Sequence, residues 1–126
     1  MRRRLFILAL GAAIAGGVIP FSSSSAHEYT AWSSSSISYS GGAFSGAVNS
    51  ARAACRGGRS VVLVKARRNR GDRVAGRTTT GSNGTWSIGK ARPRGRYYVR
   101  IARRVSTPYG HRHDCRATAS STIRVR

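Results

Sequence analysis

The chain has 126 residues, with 23 Lys and Arg against three Asp and Glu, a net charge of +20, and two cysteines. Three carboxylates leave little material for paired-carboxylate catalysis, and so one-sided a charge directs attention to anionic partners. Once a targeting segment is set aside, the length suits one domain of ordinary size.

The opening, MRRRLFILALGAAIAGGVIPFSSSSA, places three arginines before an apolar run and small residues at Ser24, Ser25 and Ala26. This order predicts an export signal over residues 1–26, cleaved after Ala26. The run from Leu5 to Phe21 is interrupted by Pro20 and is short for the roughly 20 residues of a bilayer span. Loss of Arg2, Arg3 and Arg4 takes the net charge from +20 to +17. An exported chain meets an oxidising compartment, so Cys55 and Cys115 are expected to form one intramolecular disulfide.

Residues 27–36, HEYTAWSSSS, read as a flexible serine-rich lead whose isolated aromatics, Tyr29 and Trp32, can dock on the domain. Residues 37–126 read as β-structure throughout, in short runs of period 2 separated by Gly, Asn, Asp and Pro. In FSGAVNS, Phe44, Gly46 and Val48 share one face. In RSVVLVKARR, Val61 and Leu63 are expected inside, with Val62 and Val64 on an outer surface or edge. NRGD, residues 69–72, is a turn by composition. RVAGRTTT and GTWSIG then flank Asn83-Gly84, read as a tight hairpin with Trp86 and Ile88 inward.

The segment RPRGRYYVRIARR, residues 92–104, carries six arginines and could be a disordered basic arm. Alternation argues for a strand: Tyr97, Val99 and Ile101 fall on one face, and Arg96, Tyr98, Arg100 and Ala102 on the other. The closing segment is read as a single strand, with Cys115, Ala117, Ala119, Ser121, Ile123 and Val125 on one parity and Arg116, Arg124 and Arg126 on the other. Arginines are therefore expected on the wet side of a pleated sheet. The expected fold is all-β: a single antiparallel β-sandwich of about seven strands, immunoglobulin-like or prealbumin-like.

The succession Phe44-Ser45-Gly46, Cys55, Gly58-Arg59, Val61 with Leu63, Gly84-Thr85-Trp86, Gly95 with Tyr97-Tyr98-Val99, and Cys115 resembles the secreted sandwich domains related to transthyretin and to the carboxypeptidase regulatory domain. The resemblance spans residues 44–125. It implies a non-catalytic module of the cell surface or secreted medium, and it carries no active residue onto this chain.

Read for chemistry, the chain lacks a Gly-x-Ser-x-Gly elbow, and Glu28, Asp72 and Asp114 fall in the lead, a turn and a strand end. No enzyme activity and no cofactor are expected. His111 and His113, two apart, would emerge on one face of a strand, and cleavage would make His27 the N-terminus; these three are the candidates for a metal carrier. For polyanion contact the candidates are Arg96, Arg100, Arg103, Arg104 and Arg124, whose guanidinium forks suit phosphate and carboxylate. The expected function is an exported structural or interaction module meeting a protein or cell-wall component. Polyanion binding and metal carriage are the alternatives.

Overall fold

The computed structural model describes Gly16 and residues 28–126. The export signal and cleavage point, Gly16 excepted, and His27 lie outside the described residues. Twelve strands and two short 3-10 turns are present among the described residues, and the fold is all-β, in the form of a β-sandwich.

The smaller sheet is built on β4 (Ala43–Ser50), with β2 (Ser33–Ser35) and β3 (Ser38–Ser40) end to end along one edge and β7 (Thr85–Gly89) along the other. The larger sheet is built on β5 (Ser60–Ala66), flanked by β6 (Arg73–Thr79) and β8 (Gly95–Ile101). On the far side of β8 lie β11 (Thr118–Ala119) and β12 (Ile123–Val125). If β2 with β3, and β11 with β12, are each taken as one interrupted strand, seven strands enclose the core. A third sheet caps one end, where β10 (Arg112–Cys115) lies between β1 (Glu28–Ala31) and β9 (Arg104–Ser106). The β1–β10 pair is parallel, a departure from an otherwise antiparallel scheme.

Alternation sorts the side chains as expected in β4, β7 and β8. Phe44, Val48, Val61, Leu63, Trp86, Tyr97, Val99 and Ile101 form one buried cluster, with Ile88, Ile123 and Val125 packed against it. Phe44 stands with its ring centroid 4.8 Å from both Tyr39 and Tyr97. Gly46 keeps its place in this alternation because a Cβ would strike the Ser36 carbonyl and would lie 2.8 Å from the Trp86 ring. Burial at such positions is worth roughly 1.5–3 kcal/mol per large apolar side chain, and that term holds the sheets together.

The structure corrects five readings. The lead is not free: residues 28–31 and 33–35 are strands, because a serine-rich segment satisfies its backbone along β4 and β10 without needing apolar side chains. Val64 is 1% exposed despite its outward parity. Tyr98 stands opposite it on β8, and its hydroxyl is held by Asp72 in the loop beyond β5.

Asn83-Gly84 does not close a hairpin, since β6 and β7 belong to different sheets. The turn instead carries the chain across the sandwich. Gly84 adopts φ +88 there, and its carbonyl accepts from the Val48 amide at 2.8 Å. The closing segment is three strands rather than one, and Ala117, Ala119 and Ser121 are exposed as the chain passes from the end sheet to the larger sheet.

Finally, Arg59 is wholly buried. The rule that the sheet leaves guanidinium groups wet fails there because the chain supplies four internal acceptors: Ser33 Oγ, and the carbonyls of Cys55, Ala102 and Arg116, at 2.7–3.0 Å.

Candidate anion-binding face

The outer face of the larger sheet follows from the pleat of β8. Residues at every second position share a face, so Arg96, Tyr98 and Arg100 emerge together while Tyr97, Val99 and Ile101 are sealed inside. Strand pairing completes the surface. Arg124 on β12 lies directly opposite Arg96, and Val62 on β5 lies between Arg100 on β8 and Arg77 on β6. All four arginines are exposed. With strands about 4.8 Å apart and about 3.3 Å per residue along each, Arg96 and Arg100 are rooted roughly 13 Å apart and Arg77 about 10 Å to the side of Arg100.

Three of the five arginines expected to contact polyanions therefore meet on one face: Arg96, Arg100 and Arg124. The other two are engaged within the protein. Arg103 makes a forked pair with Asp114, Nε to Oδ1 and Nη2 to Oδ2, both at 2.8 Å. Arg104, half-buried, donates from Nη1 to the Gly57 carbonyl at 2.7 Å. Both follow the end of β8, where strand parity no longer decides where a side chain goes.

Arg77 is the member that sequence reasoning misses. A register shift at Leu63/Val64 pairs Gly76 with Leu63 but Val74 with Val64, so the β6 alternation slips at Ala75. The letters RVAGRTT show no such break, although Gly76 is the kind of residue that accompanies one. Beside Arg100 the face dips into an apolar groove of about 510 Å³ lined by Val62, Ala102, Ala117 and Ala119.

Of the three acidic side chains, Glu28 and Asp114 are paired off this face, whereas Asp72 reaches it through Tyr98 and feels the Arg100 charge. Glu28 accepts from Arg112 Nη1 at 2.7 Å, and Asp114 is held by Arg103. Asp72, in the β5–β6 loop, accepts from the Tyr98 hydroxyl at 2.6 Å. That bond is the main cause lowering the Asp72 carboxyl below its ordinary value of 3.8, and it raises the Tyr98 phenol above its ordinary value of 10.0. The Arg103 fork likewise lowers Asp114.

A carboxyl whose folded pKa is depressed contributes stability that is complete above its unfolded value and fades as pH falls through the lowered one. Side-chain carboxyl resonances of Asp72 and Asp114 should thus titrate with midpoints below 3.8. A midpoint at or above that value for either residue would mean that its contact is not kept in solution.

The two described histidines approach the same tyrosine, but only His113 lies in β10; His111 closes the 3-10 turn Pro108–Gly110 ahead of it. Both meet Tyr29: the His113 ring is stacked at 5.3 Å and the His111 ring tilted at 6.1 Å, with the Arg52 guanidinium 4.0 Å from the centre of the tyrosine ring. Among the described residues no three His, Cys, Asp or Glu side chains converge on a common point. The expected disulfide is formed, joining Cys55 in the 3-10 turn Ala53–Cys55 to Cys115 at the end of β10. It ties this turn, just ahead of β5, to the end sheet.

No family model, curated protein or solved structure matches this chain.

Proposed function

We propose that this chain is a non-catalytic, exported β-sandwich module that meets anionic polymers of the cell envelope through the arginine-lined outer face of its larger sheet. One observation carries the reading. Arg96 and Arg124 are directly opposed across adjacent strands, with Arg100 and Arg77 nearby and a single carboxylate, Asp72, at the margin. Like charges in direct cross-strand register destabilise a sheet, and a bound polyanion reverses that cost. The disulfide agrees with an oxidising, extracytoplasmic setting. The relation to transthyretin-like and carboxypeptidase-regulatory-like domains belongs to this proposal and draws on the sandwich architecture and the turn and core residues named above. A diffuse cationic coat, spread over every arginine of the chain, is the competing account.

Salt titration separates the two. Four guanidinium groups on a duplex DNA probe give a slope of log affinity against log salt of about −3.6, and each Arg→Gln change at 77, 96, 100 or 124 makes it shallower by about 0.9. Changes at Arg103 and Arg104 should leave the slope unaltered. If all six positions contribute equally, the face is not the binding surface.

A further inference from the structure

Trp32 is 77% exposed, far more than the other exposed large hydrophobics among the described residues, Val74 at 40% and Val105 at 44%. An indole in water forfeits the burial that stabilises most tryptophans, so its position calls for a physical account. It lies between β1 and β2, where Ala31 is sealed against the disulfide and Ser33 pairs with Ser50, so the chain fixes the side chain on the outside.

Its surroundings are held firmly. The Arg116 guanidinium sits 5.7 Å from the centre of the indole ring, and the Arg116 amide donates to the Ala31 carbonyl at 3.0 Å. Buried Arg59 donates to both Ser33 Oγ, at 3.0 Å, and the Arg116 carbonyl, at 2.8 Å. One guanidinium thus braces the residue that follows Trp32 and the residue that stands over it, which preorganises the pair and reduces the ordering cost of binding.

Beside the indole runs a shallow groove of about 380 Å³ that mixes apolar surface with hydroxyl and amide groups. Ser34 and Asn49 lie opposite each other there, both exposed, with Ser33 and Ser50 as the next pair. An exposed indole with one cation over its ring, and hydroxyl and amide groups next to it, match the parts of an acidic sugar. The C–H face of a pyranose packs on an indole, its hydroxyls suit Ser and Asn, and its carboxylate suits a guanidinium.

We propose that Trp32, Arg116, Ser34 and Asn49 form a binding site for a uronate-type saccharide unit. Stacked single-stranded nucleic acid fits less well, because it uses successive aromatic platforms, whereas the other Phe, Tyr and Trp side chains described for exposure are buried or half-buried. The site is on the smaller sheet and stands whether or not the arginine face binds polymers.

The test is titration of the oxidised protein with trigalacturonate, and with the uncharged trigalactose of the same size, read by calorimetry for the parent and every variant and, where Trp32 is kept, also by tryptophan emission and acrylamide quenching. Trp86 is buried, so protection from quenching reports on Trp32. Trigalacturonate should protect saturably. Trp32→Ala should weaken binding about tenfold or more, Trp32→Tyr should restore most of it, and Arg116→Gln should erase the preference for the acidic sugar. The variant with Gln at 77, 96, 100 and 124 should bind trigalacturonate as the parent does. The site is overturned if Trp32→Ala binds as tightly as the parent, if the four-Gln variant loses the sugar, or if oligothymidylate protects Trp32 more strongly than trigalacturonate.

Discussion

Replacing Arg59 by methionine should destabilise the fold by about 3–5 kcal/mol, read as a lowered urea midpoint with an unchanged slope. The guanidinium is wholly buried and pairs with no carboxylate among the described residues; its four bonds go to Ser33 Oγ and to the carbonyls of Cys55, Ala102 and Arg116. Methionine fills a similar volume but donates nothing; the Cys55 carbonyl, the buried acceptor, is left unmet at about 1–3 kcal/mol, and the three partly buried acceptors add smaller losses.

Two effects oppose this loss. Burial, and next the nearby Arg104 charge, disfavour the cationic form of Arg59, and its Nε is buried without a partner. Methionine relieves both. The net loss is still expected to be large, because the acceptors come from β2, the 3-10 turn, the end of β8 and the segment after β10, places that no shared strand ladder joins. Arg59→Lys should fall between the two, since a point-like ammonium with three donors cannot satisfy four spread acceptors. A methionine variant as stable as the parent would show that desolvation of the guanidinium consumes everything its bonds contribute.

Opening the Cys55–Cys115 bond should lower the thermal midpoint by about 15–30 °C. The cysteines are 60 residues apart. In the chain-entropy model, a loop of this size restores about 4 kcal/mol of freedom to the unfolded chain. For a domain of about 100 residues, each kcal/mol moves the midpoint by roughly 4–8 °C.

The location of the bond adds a second expectation. It lies in a small cluster with Ala31, apart from the main core, and it anchors β10, which carries β1 and β9. After reduction, the amides of β1, β9 and β10 should exchange before those of β5 and β8. Scanning calorimetry with and without reductant, and hydrogen exchange under the same conditions, check the two parts. A midpoint shift below about 5 °C, or uniform loss of protection, would count against this assignment.

The amphipathic alternation in residues 44–48, 85–89 and 95–101 sufficed to specify a β-sandwich, inner residues such as Phe44, Trp86 and Tyr97, and the face arginines Arg96 and Arg100, because period 2 is a property of the strand itself. The presence of two cysteines and no more sufficed for the disulfide. Tertiary structure decided the rest, wherever a residue's place depends on a partner remote in sequence. Residues 28–35 are too polar to announce strands, and pair only because β4 and β10 offer open edges. Arg77 joins the face through a slip in β6 register, while Arg103 and Arg104 leave it for Asp114 and Gly57. Arg59 is read from the chain as one more solvated arginine; it is a brace because folding gathers four acceptors around it, and its hydrogen bonds reach residues as far as 57 positions away. Local periodicity determines which way a side chain leaves the backbone, and only the assembled fold determines what it meets there.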